Sequence, residues 1–131
     1  MVTIRKYSKQ HDEANVMQLI ANEDGWDYAN SDMAEQYKAA LEQSVTYVAY
    51  NDNQICGYSR SLNDCGFYIY VCDLLVSPTY RGHSIGKQLM ECIYAHYPNH
   101  VVYVMSGVDG YYEKVGYSKE GSIYLVPNPS V

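Results

Sequence analysis

Two glycines and two cationic residues stand close together where a predicted strand passes into a predicted helix. The stretch 76–87 reads VSPTYRGHSIGK and contains Arg81, Gly82, Gly86 and Lys87. Glycine lets a ligand approach the backbone closely, and the unpaired N–H groups of a first helical turn favour an anion. With two cationic side chains at the same end, the segment predicts a site for a diphosphate rather than for a single carboxylate.

Spacing excludes two common kinds of phosphate loop. A Walker A loop needs GxxxxGK[ST], but Gly82 and Gly86 are one residue too close and Gln88 replaces the hydroxyl that would hold magnesium. A dinucleotide fingerprint needs GxGxxG, which RGHSIG does not supply. The remaining pattern is R-x-x-G-x-G, which the chain matches at Arg81 and Gly86 and departs from at Ser84.

The elements around this loop follow from the apolar pattern. The run 68–76, YIYVCDLLV, is rich in β-branched and aromatic residues and predicts a buried strand, which Pro78 ends. Apolar residues at helical spacing follow from Ile85 until Pro98 stops the pattern. A strand at 101–106 would then lie parallel to the first strand, because a crossover helix joins the two.

The rest of the chain completes a mixed sheet with helices on both faces. The turn sequence NDN at 51–53 predicts a hairpin. The remaining predicted strands are 3–7, 45–50, 54–62 and 122–126, and the remaining predicted helices are 12–22, 31–43 and 110–115.

Composition limits the function classes. With 131 residues, 47% of them hydrophobic, the chain predicts one domain over 1–131. A net charge of −6 argues against a nucleic-acid partner. No apolar run has the length of a membrane span and the N-terminal stretch MVTIRKYSK lacks the core of a signal peptide, so we expect no membrane partner and a cytoplasmic protein. The histidines and cysteines show no metal-ligand spacing, so no metal is expected.

A second motif, YYEKVGY at 111–117, follows the loop. With both motifs in this order and at this separation, the chain resembles the GNAT superfamily of acetyl-CoA-dependent N-acetyltransferases. The motifs cover about the C-terminal half of the chain. The resemblance implies an α/β, GNAT-like fold: a single mixed, mostly antiparallel sheet of about six to seven strands, with a central splayed parallel pair and helices on both faces.

The resemblance also implies how acetyl-CoA, the cosubstrate, would bind. The pantetheine arm would pair with backbone at the end of the 68–76 strand, and the diphosphate would lie on the amides of the loop. The implied cofactor-binding residues are Leu74, Leu75, Val76, Arg81, Gly82, His83, Ser84, Ile85, Gly86, Lys87 and Tyr112. Because most family loops have glycine where Ser84 stands, its Cβ either shifts the phosphate or is tolerated through a hydroxyl that caps the helix or donates to an oxygen.

The implied chemistry is direct attack of an amine on the thioester. The backbone N–H near Val76 would stabilise the oxyanion. Tyr112, the tyrosine of the family's Y-E-K-x-G-[FY] corner, would act as general acid towards the CoA sulfur. Tyr111 and Tyr117 are interpreted as core residues.

Asp73 is the candidate general base. It is an acid inside an otherwise apolar strand, where partial burial would raise its pKa towards a useful range. Three alternatives stay open: a structural pair with Arg60 or a backbone group, a ligand for the substrate ammonium, and deprotonation of the amine by a water chain.

The segment between the first two helices is the candidate acceptor wall. Trp26 and Tyr28 lie there among acidic residues, and Arg60 and Asp73 are further candidate substrate ligands. Trp26 could equally pin the loop to the core. The sequence thus predicts an acyltransferase acting on a small-molecule primary amine; the alternatives are a protein or peptide N-acetyltransferase and a non-catalytic acyl-CoA-binding module. Exposed strand edges allow a homodimer without specifying one.

Overall fold

The computed structural model describes residues 1–130, which contain one five-stranded sheet in the order β1-β2-β3-β4-β5. The strands are β1 (Val2–Lys6), β2 (Val45–Asn51), β3 (Gln54–Asp64), β4 (Tyr68–Val76) and β5 (Val101–Val104). The first four are antiparallel neighbours, whereas β5 pairs with β4 in parallel. The predicted hairpin and the parallel pairing of the two predicted strands are therefore confirmed. The parallel pair lies at one edge of the sheet rather than at its centre, and its splay stays a prediction.

The prediction of a closing strand at 122–126 is wrong, because these residues form no strand. The sheet has five strands rather than the expected six to seven. Residues 118–128 are irregular. The apolar side chains of this segment are largely exposed, namely those of Ile123, Tyr124, Leu125 and Val126. A high strand propensity does not by itself make a strand, because the ladder needs hydrogen-bonding partners on a neighbouring chain segment.

Five helices surround the sheet: α1 (Lys9–Ala21), α2 (Ala34–Gln43), α3 (Ile85–Glu91), α4 (Ile93–His96) and α5 (Asp109–Lys114). Buried Val16, Leu19 and Ile20 follow helical spacing along α1 and, with α2, form one core cluster. The α3 and α4 helices bury Leu89 and Ile93 in a second cluster. Within residues 1–130, no helix is long and apolar enough to cross a membrane.

A bulge in the middle of β4 decides which face each half of this strand supplies. Arg60 of β3 faces Asp73, but the next residue, Ser61, faces Val71, so Cys72 is an extra residue on β4. A bulge reverses the alternation of side chains. Accordingly Val71 packs in the cluster of α3 and α4, whereas Leu75 packs in the cluster of α1 and α2.

Candidate active site

A cleft of about 560 Å³ opens where β5 ends and β4 continues. It is lined from one side by the connection between α1 and α2 and from the other by residues that follow β5. The cleft brings together five of the residues predicted to form the site: Trp26, Tyr28, Asp73, Leu74 and Tyr112.

The end of β4 presents free backbone groups beside this cleft. The N–H of Ser77 donates to the carbonyl oxygen of Cys56 at 2.7 Å. Because hydrogen bonding alternates along an antiparallel pair, Leu75 then turns its backbone groups towards β3, while those of Leu74 and Val76 point away from it. On that side β5 pairs only as far as Val71.

Leu75 accordingly differs from its two neighbours. Its side chain is buried in the cluster of α1 and α2, and its backbone faces β3. The N–H groups of Leu74 and Val76 and the C=O group of Leu74 can meet an extended ligand, whereas the C=O group of Val76 accepts a hydrogen bond from Arg81. Of the three predicted pantetheine contacts, the structure places two in a suitable position.

The 81–87 loop has the backbone conformation of an anion site, with one strained residue. Gly82 has a φ of +85°, and Ser84, which precedes α3, has a φ of +62°. Left-handed backbone favours glycine, so the serine stands at a position that glycine fits better. Within residues 1–130, no backbone acceptor takes the N–H groups of 82–87.

The side chain of Ser84 makes no capping hydrogen bond to α3. The alternative in which its hydroxyl caps the helix is therefore wrong, because an N-cap side chain needs an extended backbone and Ser84 is left-handed. A shifted phosphate and a hydroxyl that donates to a phosphate oxygen stay predictions. His83 is exposed and Lys87 is half-buried at the same loop.

Arg81 points away from the loop amides. Its Nε donates to the carbonyl oxygen of Val76 at 3.0 Å, and its Nη2 pairs with Oε1 of Glu23 at 2.9 Å. The cation that the sequence assigned to a phosphate is thus engaged by the end of β4 and by the residue that follows α1.

The carboxylate of Asp73 accepts three hydrogen bonds although only 7% of the residue is exposed. Oδ2 accepts from Arg60 Nε at 2.7 Å and from the Tyr37 hydroxyl at 2.8 Å. Oδ1 accepts only from the Tyr28 hydroxyl, at 3.3 Å. The pairing with Arg60, one of the predicted alternatives, is present. Oδ1 keeps room for another donor.

Two tyrosines of this network were not singled out by the sequence analysis. The Tyr37 and Tyr58 hydroxyls lie 2.6 Å apart, and burial raises the pKa of both phenols. Burial lowers the pKa of Arg60, but the hydrogen bond that Arg60 donates to Asp73 and the negative charge of that carboxylate together outweigh burial, so the net pKa is raised. Both phenols therefore stay protonated and Arg60 stays charged at neutral pH.

Aromatic rings form the outer wall of the cleft. Trp26 meets Tyr28 and Tyr58 edge-on, with ring centroids 6.1 and 6.3 Å apart. Tyr28 stacks on Tyr37 at 4.1 Å. Trp26 packs against the core and also lines the cleft. Its role in binding an acceptor stays a prediction.

Tyr112 lies at the opposite side of the cleft from this wall. Its ring stacks on Tyr117 with centroids 6.2 Å apart, and Tyr117 packs against the core as expected. Burial raises the pKa of Tyr112. A phenol that stays protonated at neutral pH can donate a hydrogen bond or a proton to a ligand in the cleft.

Residues 42–119 match the family pattern described as an acetyltransferase (GNAT) domain. The chain belongs to the GNAT family. No curated protein matches its sequence significantly.

Solved structures share the fold of this GNAT domain. The GNAT family acetyltransferase SP0256 of Streptococcus pneumoniae is 24% identical with a TM-score of 0.68, over 98% of this chain and 100% of that one. An aminoglycoside acetyltransferase, meta-AAC0020, from an uncultured soil sample is 21% identical with a TM-score of 0.70, over 97% and 95%. The ribosomal-protein-alanine N-acetyltransferase of Brucella melitensis is 17% identical with a TM-score of 0.72, over 98% and 100%.

One residue of the GNAT corner motif differs from its predicted role. Tyr111, interpreted as core, is 39% exposed. A Cβ added to Gly86 would lie 2.8 Å from the Tyr111 hydroxyl and 3.5 Å from Cδ2 of Leu74. Because Tyr111 reaches across to α3, this glycine allows the close approach of α5 to the loop.

Proposed function

We propose that this GNAT domain transfers an acetyl group from acetyl-CoA to a primary amine of a small molecule. The observation that carries the proposal is the cleft, in which a protonated tyrosine, a buried carboxylate and free backbone groups of β4 meet. These are the groups that an amine attack on a thioester needs for positioning, oxyanion stabilisation and proton transfer.

The residues present fit the CoA moiety. The outward-facing N–H groups of Leu74 and Val76, with the C=O group of Leu74, suit the amides of an extended pantetheine arm. The amides of 82–87, with Lys87 beside them, suit a diphosphate. Acetyl-CoA would supply the acetyl group as an activated thioester.

The chain's own groups then divide the catalytic work. The N–H of Val76 stabilises negative charge on the carbonyl oxygen of the thioester that the amine attacks. Tyr112, from the opposite wall, gives its proton to the departing sulfur. Oδ1 of Asp73 accepts a hydrogen bond from the acceptor amine and either holds it or takes its proton.

The acceptor class follows from the wall of the cleft. Trp26 and Tyr28 supply aromatic faces and Asp73 supplies the carboxylate, a combination that suits a compact cationic amine. A protein acceptor would be better served by an open acidic groove. One structural relative is named for aminoglycoside acetylation and another for N-acetylation of a ribosomal protein, and their likeness to this chain supports the fold alone.

The first test is isothermal titration with acetyl-CoA, with magnesium ATP as the control for general diphosphate affinity. We expect binding of acetyl-CoA alone. Gly86→Glu should abolish it, because the new side chain has to displace the Tyr111 hydroxyl, 2.8 Å from its Cβ, and its negative charge repels the diphosphate. Retained affinity in this variant would reject the loop assignment, and absent binding in the unchanged protein would leave the fold without the function.

A panel of small amines, followed by thiol release, tests catalysis. Tyr112→Phe should lower turnover by roughly 10²-fold, because the general acid is lost, and should leave acetyl-CoA affinity nearly intact. Tyr124→Phe is the matched control, since this tyrosine lies exposed in the C-terminal segment. Unchanged turnover in Tyr112→Phe would remove Tyr112 from the mechanism; binding without thiol release for any amine would favour the non-catalytic module.

A further inference from the structure

One ion pair connects the proposed diphosphate loop, 81–87, with the turn that leads to the proposed acceptor wall at Trp26. Glu23 follows α1, Arg81 begins the loop before α3, and Arg81 Nη2 lies 2.9 Å from Glu23 Oε1. The Arg81 side chain is 51% exposed and the Glu23 side chain 21%. The contact is a single hydrogen bond rather than a bidentate pair, so it is of the kind that a stronger anion displaces.

Glu23 is also one end of the turn that carries the acceptor wall. The N–H of Trp26 donates to the carbonyl oxygen of Glu23 at 3.3 Å, and Gly25 between them has a φ of +82°. This is the backbone of a four-residue turn that needs glycine at its third position. A movement of Glu23 is therefore passed to Trp26 through one short, closed turn.

We propose that Glu23 is a positioning residue that couples cofactor binding to the acceptor wall. It holds Arg81 while the loop is free, and it loses Arg81 when a diphosphate occupies the amides of 82–87. The inference rests on the proposed function, because it requires a CoA diphosphate at this loop.

The exchange follows from charge. A diphosphate carries more negative charge than one carboxylate and offers several acceptor oxygens, so it competes for the guanidinium at a loop where N–H groups already favour anions. Arg81 has N–H donors that neither Glu23 nor Val76 uses. Once Arg81 turns to the diphosphate, the 23–26 turn is released from the loop and Trp26 changes its surroundings.

Coupling of this kind is reciprocal. If the diphosphate changes the position of Trp26, then an acceptor that favours the new position tightens acetyl-CoA binding by the same factor. Glu23 acts through Arg81 and Trp26 and touches neither reacting atom.

The chain contains one tryptophan, so its fluorescence reports Trp26 alone. The experiment compares the unchanged protein, Glu23→Gln and the control Glu35→Gln, which removes an exposed ion pair with Lys38 on α2. Acetyl-CoA affinity is measured by isothermal titration, and the Trp26 emission is recorded over the same titration.

In the unchanged protein we expect acetyl-CoA to alter the Trp26 emission. Glu23→Gln should bind acetyl-CoA about two- to five-fold more tightly, because Arg81 no longer has to leave a partner, and should lose more than half of the emission change. If the ion pair were merely structural, Glu23→Gln would instead bind acetyl-CoA more weakly than the unchanged protein. Glu35→Gln should behave as the unchanged protein does.

A double variant tests whether the effect of Glu23→Gln depends on Arg81. In an Arg81→Gln background, Glu23→Gln should no longer tighten binding, because the partner that it releases is gone. The coupling would be overturned if the single variant Glu23→Gln bound acetyl-CoA more weakly than the unchanged protein. It would also be overturned if the Trp26 emission change kept its full size in that variant, which would mean that the ligand meets Trp26 directly. If titration shows no acetyl-CoA binding by the unchanged protein, the proposed function itself fails, which is a separate result.

Discussion

Asp12 and Asp73 are both buried aspartates paired with one arginine and with tyrosine, but they lie in different parts of the fold. Asp12, at the start of α1, is fully buried. Its Oδ1 accepts from Arg5 Nη2 at 2.7 Å and from Tyr50 at 2.8 Å, and its Oδ2 accepts from Arg5 Nη1 and from the Ser8 N–H, both at 2.7 Å. Each oxygen of this carboxylate therefore has two donors.

Asp73 has the same kinds of partner but one donor fewer. Arg60 and Tyr37 both bind Oδ2, and Oδ1 has only the long bond from Tyr28. Asp12 faces a closed junction between β1 and α1, whereas Asp73 lines the cleft. A carboxylate whose oxygens each accept two hydrogen bonds, such as Asp12, serves to join secondary-structure elements. A carboxylate beside a cavity with an oxygen that accepts only one, such as Asp73, has capacity for a ligand.

The largest effect should come from changing each aspartate to asparagine and comparing turnover. Asp73→Asn removes the negative charge that holds or deprotonates the amine, so turnover in the thiol-release assay should fall by roughly 10²-fold or more. Asp12→Asn should keep turnover within about two-fold at a temperature where it is folded. Equal losses in both variants would mean that Asp73 is only structural, and circular dichroism should confirm that each variant is folded.

The second largest effect concerns how the folding stability that Asp12 contributes depends on pH. Burial by itself raises the pKa of the Asp12 carboxyl. The hydrogen bonds from Arg5, the Ser8 N–H and Tyr50 act in the opposite direction and together outweigh burial, so the pKa lies below its ordinary value. A depressed folded-state pKa contributes stability that is fully present above the unfolded pKa of about 4 and is lost as pH falls through the folded-state value. The stability of the protein should therefore fall steeply below about pH 4.

Urea unfolding at pH 7 and at pH 3 measures this contribution. Asp12→Asn should lower the free energy of unfolding by about 1–3 kcal/mol at pH 7, because Arg5 is half-exposed and keeps access to water, and should reduce the difference between the two pH values. Asp32→Asn, at an exposed aspartate of the loop before α2, is the control. An unchanged pH dependence in Asp12→Asn would show that other carboxylates cause the acid sensitivity.

The elements around both aspartates could be predicted from the sequence, but their partners could not. Helical spacing placed α1, and a β-rich run ended by proline placed β4. The bulge at Cys72 has no marker in YIYVCDLLV, since simple alternation would put Val71 and Asp73 on the same face. The bulge depends on pairing with β3, a long-range contact, and it turns Asp73 to the side of α1 and α2.

The tyrosines show the same limit. Tyr37 lies in the predicted helix 31–43, and the helix is correct there, but the sequence does not reveal that the Tyr37 hydroxyl meets Asp73. The loop could be predicted from glycine and cation spacing, whereas the contact between Arg81 and Glu23 joins positions 58 residues apart and follows only from the fold. The closing strand failed for a related reason, because propensity does not supply a partner.

The smallest effects should separate the two aspartates most finely, through removal of one hydroxyl beside each. Tyr50→Phe deletes a 2.8 Å bond to a buried, saturated carboxylate and should cost about 1 kcal/mol of unfolding free energy without changing turnover. Tyr28→Phe deletes the 3.3 Å bond to Oδ1 and should change stability by less than about 0.5 kcal/mol. Because that oxygen would then have no donor except the acceptor amine, we expect Tyr28→Phe to change the acceptor KM by about two- to five-fold and to leave acetyl-CoA affinity unchanged. If instead Tyr28→Phe destabilises the protein as much as Tyr50→Phe and leaves the acceptor KM unchanged, Oδ1 of Asp73 is as structural as the oxygens of Asp12, and the distinction between the two aspartates fails.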